Sequence, residues 1–255
     1  MDRLDNLKNI IMYLMADNRV SHRIPSTLEE RQRMMRALMN VWEPRPISED
    51  FLKMQDAELQ IQREEKGIVE ISDITPQTSD ILLWQGDITR LKVDAIVNAA
   101  NAQALGCWAP LHNCIDNCIH SAAGIQLRKE CNDTMQGRLL ATGNAFITKG
   151  DNLPAKHVIH TVGPIIPDGI PTKEQEEQLA ACYRSCLDLA EKNGLESIAF
   201  CCISTGVFRF PPDRAAQIAV KTVRGWLAEH EGAMDRVIFN VFSDKDRNIY
   251  EALFK

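Results

Sequence analysis

Ala95-Ile96-Val97-Asn98-Ala99-Ala100-Asn101 begins as an apolar run and ends in two amides. A short apolar run of this kind reads as a strand buried on both faces, not one that alternates between core and water. The same pattern recurs on either side of it, at Ile81-Leu82-Leu83-Trp84, Ala145-Phe146-Ile147, His157-Val158-Ile159-His160, Ser197-Ile198-Ala199-Phe200 and Val237-Ile238-Phe239-Asn240-Val241. Helical periodicity fills the intervals around 115–130, 173–192 and 212–230. Strands alternating with helices predict an α/β fold, with a mostly parallel sheet covered on both faces. Ligands of such sheets bind beyond the C-terminal strand ends, in the loops that lead into helices. The polar ends of these runs are therefore the first place to look for function.

Residues 1 to about 67 follow a different pattern. Leu7, Ile10, Ile11 and Leu14 recur at helical intervals, followed by Leu28, Met34, Met35, Leu38 and Val41. No β-rich run occurs there. Ser26 and Glu29 have capping-box spacing, and Ser48 after Ile47 marks the start of a third helix that runs to Gly67. The division expected is a helical extension over 1–75 and an α/β domain over 76–255. There is no internal repeat or low-complexity tract.

The chain has 255 residues and a net charge of −6, which argues against a general nucleic-acid binder, since that needs a basic face to replace phosphate counterions. Eight cysteines, two of them adjacent at Cys201-Cys202, do not form the spaced framework of a secreted disulfide scaffold and point to a reducing cytoplasm. No signal-like or membrane-spanning stretch is present, so a soluble protein without a membrane partner is expected. A monomer is the default, because nothing in the surface composition calls for an oligomer.

Cys107-Trp108-Ala109-Pro110-Leu111-His112-Asn113-Cys114 carries two thiols and an imidazole in the spacing C-x4-H-x-C. Three soft ligands this close together read as a Zn2+ site. Three protein ligands with an open position are the catalytic arrangement, whereas a fourth from Cys118, Cys131, Asp116 or His120 would close the site and make it structural. The competing reading treats the cysteines as small buried hydrophobes and the histidine as a packed core group.

Several segments together resemble a macrodomain: Gln85-Gly86-Asp87-Ile88-Thr89, Val97-Asn98-Ala99-Ala100-Asn101, Ile119-His120-Ser121-Ala122-Ala123-Gly124, His160-Thr161-Val162-Gly163-Pro164, Ile203-Ser204-Thr205-Gly206-Val207-Phe208 and Val241-Phe242-Ser243-Asp244-Lys245-Asp246. Many hydrolytic macrodomains have a glycine-rich run before a Val-Asp-Gly-Ala-Ile-His segment. Here Cys107 to Cys114 leads into Ile115-Asp116-Asn117-Cys118-Ile119-His120. The chain thus resembles the zinc-dependent branch of macrodomain protein-ADP-ribose hydrolases, whose members also carry a helical N-terminal extension.

The resemblance implies a macrodomain-like three-layer αβα sandwich with an N-terminal helical extension. It implies ADP-ribose as ligand and a mono-ADP-ribosylated protein as substrate. Asp87 and Ile88 match the adenine turn, Asn101 the distal-ribose contact, and Ser204, Thr205, Gly206, Val207 and Phe208 the diphosphate loop. Asp116 aligns with the acidic residue beside the distal ribose, so Asp116 and Asn101 are the expected catalytic pair. Cys107, His112 and Cys114 are the expected zinc ligands. Asn98 is read as structural, His120 as packing or capping, and His157 and His160 receive no role. Arg209 stands where related hydrolases often carry glycine, and Phe208 and Phe210 are either ribose walls or core. The activity implied is hydrolysis that releases ADP-ribose from modified side chains, with an ester to Asp or Glu as the link. The alternative is a non-catalytic ADP-ribose reader whose zinc only shapes a loop.

Overall fold

The computed structural model describes residues 2–255. Three helices come first: α1 (Arg3–Asp17), α2 (Leu28–Asn40) and α3 (Glu49–Lys66). Ser48 caps α3, its hydroxyl accepting from the Phe51 amide, and Gly67 ends the helix with φ +78°, as the sequence predicts. The α2 cap is displaced by one residue. Thr27, not Ser26, accepts from the Glu30 amide. Starting at Leu28 turns Met35, Leu38 and Met39 inward and leaves Val41 partly exposed, with Trp42 buried in its place. Leu7, Ile10, Ile11 and Leu14 close an apolar cluster with these residues, Phe51 and Leu59. Ile125 of the following layer joins that cluster, so the extension packs on the remainder through shared core.

The strands are β1 (Val69–Glu70), β2 (Ile81–Gln85), β3 (Leu91–Lys92), β4 (Ala95–Ala99), β5 (Ala145–Lys149), β6 (His157–Thr161), β7 (Ser197–Phe200) and β8 (Arg236–Val241). The short β1 and β3 pair with each other. The other six form one sheet in the order β2-β8-β7-β4-β6-β5. All its neighbours run parallel apart from β5, which joins antiparallel to β6 at the edge. The helices that cover it are α4 (Ile115–Ala123), α5 (Ile125–Met135), α6 (Lys173–Lys192), α7 (Pro212–Glu229) and α8 (Asp244–Phe254). Every residue of β7 is buried, as expected for a central parallel strand with helices on both faces.

One helix expected over 115–130 is two. Gly124, at φ +105°, ends α4, and a Cβ there would stand 2.4 Å from Gln126 Oε1 and 2.7 Å from Gln55 Nε2. The break lets Gln55 of α3 accept from the Ile125 amide, joining the helical layer to the start of α5.

The parallel order has a direct consequence for function. β2, β4, β7 and β8 point the same way, so the loops after Gln85, Ala99, Phe200 and Val241 open at one sheet edge. No helix among the described residues is long and apolar enough to cross a membrane. Trp42 is fully buried, with its indole N–H donating to Asp17 Oδ2 at 2.5 Å. Trp42→Ala is expected to destabilise the protein by about 3–5 kcal/mol through the cavity it leaves. Urea denaturation followed by circular dichroism measures this, and a loss below about 1 kcal/mol would contradict the packing of the helical layer.

Candidate active site

Asp116 lies at the centre of that edge. It occupies the first turn of α4 and is buried, with only 4% of its surface exposed. Asn98, on β4, donates from Nδ2 to Asp116 Oδ1 at 2.8 Å, and Asn101, just past the same strand, donates to Oδ2 at 3.3 Å. Burial pushes the Asp116 carboxyl up to about 6, with the Asn98 hydrogen bond and the Arg128 charge acting against the rise. The result is a carboxylate near its titration point at neutral pH, which suits a proton acceptor.

Asn98 thus has a definite structural task, holding the acid that the sequence marks as catalytic. Behind it, Asn98 Nδ2 lies 3.2 Å from His160 Nδ1, its register partner on β6. His160 Nε2 lies 3.0 Å from Thr148 Oγ1, and the ring stacks on Phe146. Sequence reasoning gave His160 no role. Its signal was the strand register, which makes Asn98 and His160 neighbours on one sheet face and is invisible without the pairing. His120 is buried beside Asp116, with Nε2 3.5 Å from Oδ1, so it packs against the carboxylate as the helical spacing predicts. Burial, aided by His160 and Arg128, holds His120 neutral.

Asn101 serves the loop as well as the acid. Its Nδ2 donates to the Gly106 carbonyl at 3.1 Å, and its Oδ1 accepts from the Gln103 and Ala104 amides. Gly106 has φ +80°, and a Cβ would press on the His120 ring at 2.9 Å. The loop that follows brings the three soft ligands together. Cys107 Sγ lies 3.6 Å from His112 Nδ1, and the ligand atoms of Cys107, His112 and Cys114 all lie within 4.8 Å of one another. Ligand atoms around tetrahedral zinc stand roughly 3.5 Å apart, so this donor set fits zinc. Cys114 also caps α4 by accepting from the Asn117 amide, and burial followed by the nearby Cys107 pushes its thiol up to about 12. Among the described residues this group of three includes none of Cys118, Cys131, Asp116 or His120. Cys131 and His120 instead form a separate, buried group with His160.

The other loops open at the same edge. Asp87 caps a single helical turn at Ile88–Arg90, with Oδ1 accepting from the Thr89 amide and hydroxyl. Its Oδ2 accepts from Lys66 Nζ at 3.1 Å. Burial raises the pKa of this carboxyl, but Lys66 and the Thr89 hydrogen bonds outweigh that and hold it below the ordinary value. The Ile88 side chain is buried in the main core, so only its backbone faces the turn. Asn240 Nδ2 ties the neighbouring strand end to the Gly86 carbonyl at 2.9 Å, and the next aromatic, Phe242, is 78% exposed. A large exposed ring beside an adenine-type turn is a signal that the residue type alone did not carry.

After β7 the chain forms the loop Ser204 to Phe208. Ser204 adopts φ +65°, and its buried hydroxyl has no hydrogen-bond partner. Thr205 Oγ1 donates to the Cys202 carbonyl at 3.0 Å. Gly206 has open space where a Cβ would stand, and Val207 is exposed. Arg209 takes φ +61°, the left-handed conformation that glycine adopts most easily. Phe210 is core and Phe208 is half-buried against Ala104, Met135, Leu140 and Val162.

This arrangement has close relatives among known proteins. Residues 97–219 match the Macro domain family. A protein-ADP-ribose hydrolase of Treponema medium is 51% identical over 96% of each chain, and one of Staphylococcus aureus (strain MRSA252) is 46% identical over 100% of this chain and 98% of its own. The crystal structure of the Trypanosoma brucei macrodomain in complex with ADP-ribose superposes with a TM-score of 0.68 at 35% identity, covering 83% of this chain and 92% of that one. The agreement extends through the N-terminal helices as well as the sheet edge, and on it the chain belongs to the macrodomain ADP-ribose hydrolase family.

Proposed function

We propose that the protein is a zinc-dependent hydrolase that removes mono-ADP-ribose from ester-linked Asp or Glu side chains of modified proteins and releases ADP-ribose. Hydrolysis of an ADP-ribose linkage is the chemistry of its family. One observation carries the finer reading: the buried, amide-held Asp116 carboxylate and the Cys107–His112–Cys114 triad flank the same turn of chain, at the edge where the loops open.

The positions of these residues support a role for each. Asp87 accepts a hydrogen bond from the exocyclic amine of adenine, and Phe242 offers a ring for the base to stack on. The diphosphate lies against the loop of residues 204–208, whose small, open backbone lets amides approach it and whose Ser204 hydroxyl is unpartnered. Asn101 faces the distal ribose. Asp116 accepts a hydrogen bond from the attacking water and takes its proton as the water oxygen bonds to the ester carbonyl carbon; the acyl C–O bond to the ribose then breaks, the ribose oxygen takes that proton back from Asp116, and ADP-ribose and a free carboxyl result. Cys107, His112 and Cys114 would hold zinc, which when bound supplies a Lewis acid that polarises an oxygen and makes water more acidic. An ester link suits this set because its cleavage needs less leaving-group assistance than an N-glycosidic arginine bond.

Two measurements test the proposal. Asp116→Asn is expected to lower kcat by about 10²–10⁴-fold, the range of one general base, while free ADP-ribose binds within a few-fold of wild type. Release assays and calorimetry read the two effects separately, and an undiminished kcat would remove Asp116 from the chemistry. Metal removal with a chelator is expected to abolish ADP-ribose release from an Asp/Glu-modified protein, with recovery on adding zinc and an unchanged circular dichroism spectrum. Binding of ADP-ribose without release by the metal-loaded protein would favour a reader in which zinc only shapes the loop.

A further inference from the structure

The Cys107–Cys114 loop is held from outside, and the holders belong largely to the N-terminal helices. Arg36, on α2, donates from one guanidinium nitrogen to the His112 carbonyl at 2.9 Å and to Asn117 Oδ1 at 3.0 Å, and lies 3.9 Å from Cys118 Sγ. Asn40, the last residue of the same helix, accepts from the Leu111 amide at 2.9 Å and donates to Ser121 Oγ at 3.0 Å. Leu111 is in the left-handed region at φ +59°, a conformation an L side chain avoids unless its surroundings impose it. Asn40 is almost wholly buried, so its amide has little alternative partner in solvent.

A third contact locks the first two together. Arg128 of α5, 2% exposed, donates to the carbonyls of Met39, Asn40 and Trp42 at 3.2, 2.9 and 2.8 Å, at and just beyond the C-terminal end of α2. Its other terminal nitrogen donates to the Cys107 carbonyl at 3.3 Å, and the guanidinium lies 4.2 Å over the Trp108 ring. The backbone on either side of His112, and that of Cys107, is therefore bonded directly to α2 or, through Arg128, to its C-terminal end.

The geometry points to α2 as a positioning element of the active site: Arg36 and Asn40 fix the Cys107–Cys114 loop, and so set how firmly it holds zinc and where it stands relative to Asp116. This rests on the zinc-dependent reading above. Neither residue touches the reacting atoms. Arg36 and Asn40 are thus required for full turnover but not for binding ADP-ribose, whose proposed contacts lie on the other loops.

The test uses the full-length chain with Arg36→Met, which keeps the apolar stem but removes the donor, and Asn40→Ala. In each folded variant, amide exchange over residues 105–114 is expected to quicken by about tenfold, the order expected for a lost charged or buried hydrogen bond. Zinc transfer to a chromogenic chelator should also quicken by about tenfold. The expected kinetic signature is a similar fall in kcat, with KM and the Kd for free ADP-ribose within twofold of wild type; a general loss of structure would move all of these together. Wild-type exchange over 105–114 with wild-type kcat in a folded variant would overturn the proposal. If wild-type activity is indifferent to metal removal, the zinc reading fails by itself. Faster loop exchange with lower kcat in the variants would still establish the positioning role, and their absence would end both.

Discussion

A buried carboxylate needs partners, and Asp116 sets the terms for everything around it. Removing a charged group from water without compensating hydrogen bonds is strongly unfavourable, so the acid can be buried only where donors are already fixed. Asn98 and Asn101 supply them from a strand end and from the turn beyond it. That requirement ties α4 to β4 and fixes the start of the Cys/His loop, while burial raises the pKa of the acid against the pull of the Asn98 hydrogen bond. The layer behind Asn98 follows from the same need. His160 and Thr148 hold the amide from the sheet side, and Phe146 stacks on the imidazole, so the support for one catalytic oxygen extends across β4, β6 and β5.

The loops at the sheet edge illustrate how strain is tolerated where function needs it. Ser204, Arg209, Ala104 and Leu111 all take positive φ without being glycine, each at roughly 1–3 kcal/mol. Two of them shape the loop after β7 and two shape the segment that leads through the Cys/His triad. Close packing supports them: Gly163 lets Ser204 approach so nearly that a Cβ there would stand 1.9 Å from the Ser204 hydroxyl. The strained loops are stable because neighbouring elements over-determine them, in one case the sheet and in the other the helical layer.

The helical layer is more than an appendage. It has an apolar cluster of its own, yet Ile125 completes that cluster, Gln55 caps the start of α5, and Lys66 pairs with Asp87 in the turn after β2. Its polar contacts fall at both ends of the sheet: Arg36, Asn40 and Lys66 reach the loops that follow β4 and β2, whereas Asp56, Gln60 and Arg63 bond Asn152 beyond β5.

Much of the fold was written in local pattern. Apolar runs and helical intervals determined the elements and the alternation that makes a mostly parallel sheet, because burial on two faces leaves a period that survives in one dimension. The C-x4-H-x-C spacing was visible as a short contiguous pattern, whereas the expectations for Asp116 and for Ser204 to Phe208 came from resemblance across several segments. What local pattern could not supply was convergence. That Asn98 holds Asp116, that His160 braces Asn98, that Arg36 and Asn40 grip a loop some seventy residues away, and that Gly124 splits one expected helix in two all depend on strand order and on which helix packs where. Such contacts join residues with no sequence periodicity in common, and only the tertiary structure, by bringing distant polar groups into the same water-poor space, decides which of them must pair.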